Sequence, residues 1–396
     1  MLYALLALAG FGLITSTVFA GMVLWAVPSY LRERRQALAQ LAERSPDGAR
    51  FTPPLTLLKP LHGAEPGLEQ HLTTFFEQDY PQYEILFCTR SAEDAGLAIA
   101  RNVASRYPEI PVKFLSTGGQ PDYINAKVAS MELMEREASH DILVISDSDV
   151  RVTPDYLRSV ALPFADSRVG AMTCPYRGVS LDGGLWARLE AVGMSVEMTS
   201  GVLAARLTEG MQFVLGPTMA FRRETIRQMG GFKVTADYCA DDFVLGNETY
   251  KLGQTVILSH HAIDHVVLNS NFVGSLKHQA RWMKSTRFSR PIGHFGTALT
   301  FSTPYGLLAL ISASLLGHSG LGIVLFAWSL LTRLALSIAV GRLVVSDKSW
   351  FGLLVLYPIR DFMGFCFWAS SYTGRRILWR GHVYELLPGG KMRAAE

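Results

Sequence analysis

The residues of this chain best suited to chemistry are two pairs of carboxylates and one basic-aromatic run. Asp147 and Asp149 stand in Ser146-Asp147-Ser148-Asp149. Residues two apart in extended chain share a face, so the two carboxylates crowd together. They need a cation. A hard divalent ion, Mg²⁺ or Mn²⁺, shared with the phosphate oxygens of a nucleoside diphosphate, suits them. The same run also reads as a solvated turn whose Asp caps a helix starting near Pro154. The second pair is Asp241-Asp242, in Ala240-Asp241-Asp242-Phe243. Helix starts favour acids, which accounts for one of them. The other is a candidate general base for an acceptor hydroxyl. The third group is His278-Gln279-Ala280-Arg281-Trp282, with Lys277, Lys284 and Arg287 around it. Arg281 could hold a departing diphosphate bidentately. The run reads equally as a basic juxtamembrane helix resting on acidic headgroups.

These residues need a scaffold, and the pattern around them is α/β. Leu55–Leu58, Glu84–Cys88, Val112–Leu115 and Asp141–Ser146 are short apolar or alternating runs. Helical stretches at Leu68–Glu77, Ala95–Tyr107 and Asn125–Ala138 separate them. Strand-helix alternation argues for a mainly parallel sheet. The unbroken run before Asp147 fits a strand covered on both faces. Ligands of such sheets bind at the carboxyl ends of the strands, where Asp147 and Asp149 fall.

Composition bounds the rest. The chain has 396 residues, 49% hydrophobic and 18% charged, with a net charge of +3. That excludes a disordered chain and gives no footprint for nucleic acid. Cys88, Cys174, Cys239 and Cys366 are too scattered for a zinc or thioredoxin-type pair. Residues 1–31 carry no charge and no His, and end at Arg32-Glu33-Arg34-Arg35. They read as a retained anchor with its N-terminus outside, since the apolar run continues past the one plausible cleavage site at Val18-Phe19-Ala20. Residues 291–332 hold no Asp, Glu, Lys or Arg. This allows two crossings with a turn at Gly317-His318-Ser319-Gly320. Arg333 then needs a partner or must snorkel. A third apolar stretch, Ser349–Gly374, is interrupted by Arg360-Asp361, which is costly in lipid unless neutralised. Three crossings after a cytoplasmic domain leave the tail outside. Yet Arg375, Arg376, Arg380, Lys391 and Arg393 prefer the inside, so one segment is expected to be interfacial or re-entrant.

The expected organisation is an anchor at 1–31, a polar linker at 32–50 and a cytoplasmic catalytic domain at 51–290. A membrane region at 291–374 and a basic tail at 375–396 follow. Within the domain, Val192–Leu207 carries Met194, Met198, Val202 and Leu203. It reads as core, or as a border for an acceptor's hydrophobic tail.

Five runs, in order, resemble the family 21 glycosyltransferases. They are Leu58-Lys59-Pro60-Leu61-His62-Gly63, Thr74–Pro81, Asp147–Val152, Gly230-Gly231-Phe232 before Ala240-Asp241-Asp242, and Arg281-Trp282. That family includes ceramide glucosyltransferases and bacterial enzymes that glycosylate hopanoid polyols. The resemblance implies a GT-A type domain with transmembrane helices at both ends. It implies a UDP-sugar donor, a divalent metal on Asp147 and Asp149, and a lipid acceptor in the bilayer, either ceramide or a hopanoid polyol. It places Asp94 against uridine, and Lys59, Asn125, Lys127 and Asp147 at the donor. It makes Asp242 the catalytic base and gives the leaving diphosphate to Arg281, Trp282 and His278. The family has Gln or Arg where this chain has His278. An inverting hexosyltransferase of a bacterial inner membrane is the function implied. A processive polysaccharide synthase and a non-catalytic membrane scaffold are the alternatives.

Overall fold

The computed structural model describes residues 1–42, 51–119, 121, 123–268, 271–379 and 382–395. Part of the expected linker, residues 43–50, lies outside the described residues, as do Arg380 and Glu396. The chain forms two units. A sheet unit comprises Arg32–Tyr176 and Glu209–Leu268. A helical unit comprises Met1–Leu31, Arg177–Thr208 and Asn269–Glu396.

The sheet unit is built on β1 (Leu55–Pro60), β2 (Tyr83–Thr89), β3 (Val112–Ser116), β4 (Ile142–Ser146), β5 (Val150–Arg151) and β6 (Val169–Thr173). The chain passes between units along β7 (Tyr176–Ser180) and returns for β8 (Thr218–Arg222), β9 (Thr255–Leu258) and β10 (Ile263–Val267). Seven of these make one sheet in the order β3-β2-β1-β4-β8-β6-β9. The pairs β1/β2, β1/β4, β2/β3 and β6/β9 are parallel. Only β8 runs the other way, antiparallel to β4 and β6. This is the mainly parallel sheet expected. β4 is buried along its whole length, as its unbroken apolar sequence requires. The edge strand β3 is half-buried throughout, so its alternating sequence is not matched by alternating burial.

Two consequences of this topology place the site. Because β8 is reversed, its amino end lies beside the carboxyl end of β4, with Ser146 opposite Thr218. The loop entering β8, through Gly216, therefore runs next to Asp147. The short β5 pairs with β10, His265 opposite Val150, which brings His265 beside Asp149. The helix after Asp149 begins only at Tyr156, too late for Asp149 to cap it.

In the helical unit, one helix covers Leu2–Ala42 and continues past Arg32 instead of giving way to a linker. Among the described residues, three helices are long and apolar enough to cross a membrane: Leu2–Ala42, Ser319–Val344 and Gly352–Ser370. The pair Pro291–Thr300 and Thr303–Leu315 is apolar enough as well and is bent by 51°, the shape of a broken span or a re-entrant loop. The turn falls where expected, with Gly317 in the left-handed region at φ 82° and helix resuming at Ser319. Arg360 and Asp361 do not neutralise each other. Asp361 pairs with Arg333 at 3.0 Å, and Arg360 pairs with Glu197 at 3.1 Å. The basic tail folds into a three-stranded antiparallel sheet of β11 (Arg376–Trp379), β12 (His382–Leu386) and β13 (Met392–Ala394). Met194, Val202 and Leu203 are buried, so that stretch is largely packing, with Met198 exposed.

Candidate active site

The carboxylates converge around one glycine. The Gly216 amide donates to Asp242 Oδ2 at 2.9 Å. A Cβ on Gly216 would stand 3.3 Å from Asp242 Oδ2 and 3.7 Å from Asp147 Oδ2. Asp147 and Asp242 thus share one neighbourhood, though they stand 95 positions apart in sequence. Asp241 and Asp242 open the helix Asp241–Lys251, and the Phe243 amide also donates to Asp242 Oδ1 at 2.7 Å. Burial, followed by the neighbouring Asp241 charge, pushes the Asp242 carboxyl up to about 6. A carboxylate so raised is a better proton acceptor near neutrality than an ordinary aspartate.

Two lysines answer this negative charge. Lys127 Nζ lies 2.7 Å from Asp147 Oδ1 and 3.7 Å from Asp241 Oδ2. Burial alone would lower its pKa, but Asp147 and Asp241 outweigh burial and hold it raised. Asn125 sets Lys127 in place. Its side chain caps the helix Ala126–Glu137 by accepting from the Lys127 amide at 3.1 Å, and donates to the Tyr238 carbonyl at 3.1 Å. Lys59 is fully buried at the end of β1. It donates to the Asp147 carbonyl at 2.6 Å and sits 3.7 Å above the Phe75 ring. Burial pushes it down to about 7 against the pull of Asp147 and Asp149.

Asp149 turns to His265, whose Nε2 is 3.2 Å from Asp149 Oδ2. Burial would raise this carboxyl, but His265 and hydrogen bonding hold it below its ordinary value. Its Oδ1 is buried and has no hydrogen-bond partner. That orphaned oxygen, beside Asp147, fits a hard divalent cation. No cluster of three His, Cys, Asp or Glu ligands forms among the described residues. Phosphate and water oxygens would complete the shell, the arrangement Mg²⁺ prefers.

Asp94 caps the helix Ala95–Ala104, accepting from Gly96 at 2.8 Å. It also takes the Gly63 amide, at 2.9 Å and 3.1 Å to its two oxygens. It ties the loop after β1 to the helix after β2.

The basic-aromatic run belongs to the helical unit, on the helix Phe272–Ser289. His278 Nδ1 is 2.6 Å from Glu190 Oε1, while Ser275 Oγ donates to Glu190 Oε2 at 2.7 Å. Glu190 is only 1% exposed. The His278 ring packs 4.4 Å from Trp282, and Arg281 lies over the Trp379 ring at 5.9 Å. Glu190, His265 and Gly216 escaped the sequence reading. Glu190 left one signal, a lone acid in the apolar run Leu185–Val192, which must find a partner if buried.

Residues 13–392 match the family model described as Glycosyl transferase family 21. Ceramide glucosyltransferase 1 of Caenorhabditis elegans is 22% identical over 349 residues, covering 87% of this chain and 74% of the worm protein. Ceramide glucosyltransferase of Komagataella phaffii is 34% identical over 101 residues, 25% of this chain and 20% of that protein. Among solved structures, the mannosyltransferase PcManGT from Pyrobaculum calidifontis, in complex with GDP-Man and Mn²⁺, matches over 91% of this chain and 99% of its own, at 18% identity and a TM-score of 0.47. S. aureus TarS 1–349 in complex with UDP-GlcNAc matches over 86% and 99%, at 14% identity and a TM-score of 0.40.

Proposed function

Because the chain belongs to glycosyl transferase family 21, we propose that it transfers a hexose from a UDP-sugar to the hydroxyl of a membrane lipid, ceramide foremost. The observation that carries this reading is the meeting of Asp242 and Asp147 at Gly216, beside the carboxyl end of β4. A base and a donor-side carboxylate are wanted within one substrate's reach of each other.

In this reading Asp242 accepts the proton of the acceptor hydroxyl as its oxygen attacks the anomeric carbon. The bond to the UDP oxygen breaks on the opposite face, so a single displacement inverts the configuration. Asp147 and Asp149 would hold a divalent ion, which supplies positive charge to the donor diphosphate. Lys127 adds positive charge on the donor side, and Lys59 holds the Asp147 carbonyl. Arg281, with His278 and Trp282, is assigned to the charge that develops on the departing diphosphate. Asp94 and Asn125 act by holding the loops of the donor site. The bilayer supplies the acceptor, and the sheet unit faces the cytoplasm of a bacterial inner membrane.

A second reading keeps this chemistry and changes the acceptor to a hopanoid polyol. It is favoured by His278 standing where the family has Gln or Arg, locked to Glu190. Mass spectrometry of lipids decides between them. A host supplied with ceramide and bacteriohopanetetrol expresses the wild type or Asp242→Asn. Hexosylceramide made only by the wild type supports the first reading. A hexosamine on the hopanoid moves the enzyme to the second. A long polymer, or no glycolipid at all, removes both.

A further inference from the structure

Length and hydropathy alone make Gly352–Ser370 a membrane span. The contacts of its two ends say otherwise. Before it, the loop 345–349 is tied to the segment Arg177–Thr208. Arg177 Nη1 donates to the Val345 carbonyl at 3.3 Å, and Ser195 Oγ donates to Asp347 Oδ2 at 2.8 Å. That segment leaves and re-enters the sheet unit at Tyr176 and Glu209. Arg177 is the first residue past the junction, so the loop lies on the sheet unit's side of the bilayer. After the helix, the Ser371 carbonyl accepts from Arg287 Nη1 at 2.7 Å and the Ser371 hydroxyl meets His294 Nε2 at 2.8 Å. Arg287 belongs to Phe272–Ser289, which begins just past the sheet unit. With Lys277, Arg281, Lys284 and Arg287 along it, that helix cannot enter the bilayer core. β11 rests on it too, through Lys284 Nζ to the Arg376 carbonyl at 3.2 Å.

Both ends of Gly352–Ser370 are therefore held on one side. Its surface is divided along its length. Phe351, Leu354, Val355, Ile359 and Phe362 are exposed, at a spacing of three and four residues. Leu353, Leu356, Tyr357, Arg360, Asp361 and Phe367 are buried. We propose that this helix lies in the plane of the leaflet next to the sheet unit. Its Phe351–Phe362 stripe beds against the acyl chains of that leaflet, and the helix does not cross. The occupant is lipid because the stripe belongs to the same unit as the exposed apolar faces of the spanning helices, such as Ile323, Val324 and Leu331. The crossings that remain are Leu2–Ala42, the bent pair through Thr303–Leu315, and Ser319–Val344. That number returns the basic tail to the sheet unit's side, as its arginines require.

Three measurements test this. On the unmutated sequence with a tag after Glu396, protease added to sealed vesicles must cleave the tag only from the face that digests the sheet unit. Cleavage from the opposite face overturns the proposal. Single cysteines in a Cys-free background, probed with an impermeant maleimide, must put Lys348→Cys and Ala395→Cys on one side and His318→Cys on the other. Separation of positions 348 and 395 overturns it. Fluorophores at positions 351 and 362, read by depth-dependent quenching from brominated lipids, must report equal depths. A crossing helix would separate them by roughly 16 Å.

Discussion

The Gly216 amide holds Asp242 Oδ2 at 2.9 Å, and the same glycine stands against Asp147. A methyl group there would press on Asp242 at 3.3 Å, closer than most real contacts, and intrude between the two carboxylates. Gly216→Ala should therefore lower kcat by about 10-fold or more, since small misplacements at a reacting centre are costly. Thermal stability should barely change. Full activity in a folded Ala variant would mean the space beside Gly216 is not used by substrate.

As the proposed base, Asp242 should carry the pH dependence of turnover. Its carboxyl is raised to about 6 from an ordinary 3.8, and only its ionised form can accept a proton. kcat/KM should fall as pH drops through about 6, and Asp242→Asn should lose ~10²–10⁴-fold in turnover while still binding UDP. Stability moves in the opposite sense. A raised carboxyl contributes stability that is complete below about 4 and lost as pH rises through about 6. The Asn variant should gain on the wild type in melting temperature across that window. A constant difference between the two from pH 4 to 7 would count against a buried, raised Asp242.

Lys127 occupies Asp147 Oδ1 at 2.7 Å, where a metal would also bind. Removing the ammonium should free that oxygen but weaken donor binding. Lys127→Met is expected to bind Mn²⁺ several-fold more tightly without donor, and UDP at least 10-fold more weakly. Electron paramagnetic resonance of free Mn²⁺ and calorimetry with UDP read the two effects separately. Unaltered Mn²⁺ affinity would show that Lys127 and the ion do not compete.

Glu190 is paired with His278 at 2.6 Å. If its role is to fix that ring, Glu190→Ala should lower kcat by about 10-fold with little change in donor KM, and Glu190→Gln should recover part of it. In a His278→Gln background the Glu190 substitutions should matter far less. Such dependence is the signature of two residues in one network. Equal losses in both backgrounds would reduce Glu190 to a packing role.

Much of this was legible before the structure. β4 and its following acids stood out because a doubly covered strand reads as an unbroken apolar run, and the chain's acidic pairs are few. The reversal of β8 was not legible, because an apolar pattern is the same read in either direction. That reversal alone puts Gly216 beside Asp147. His265 was hidden for a similar reason: a two-residue strand, β5, pairs it with Asp149 across more than a hundred positions. The bilayer segments were plain from composition, but the in-plane course proposed for Gly352–Ser370 rests on hydrogen bonds made by the residues flanking it. The tail's β-branched and aromatic residues Ile377, Trp379, Val383 and Tyr384 are a short strand signal masked by the basic residues around them.

Asp361 joins three parts of the helical unit. One oxygen accepts from the Ser302 and Thr303 amides at 2.9 Å and 2.8 Å, capping the helix Thr303–Leu315 after its bend. The other meets Arg333 Nη1 at 3.0 Å. Arg333 is 1% exposed, so an Asn at position 361 leaves a buried guanidinium uncompensated. Breaking such a pair from one side typically costs about 3–5 kcal/mol, while replacing both partners costs far less. Asp361→Asn should therefore lower the melting midpoint in detergent markedly. Adding Arg333→Met should recover part of the loss, and the amide caps that Asn cannot fully reproduce account for the remainder. A double variant no more stable than Asp361→Asn would show that the carboxylate matters for the caps and not for the arginine.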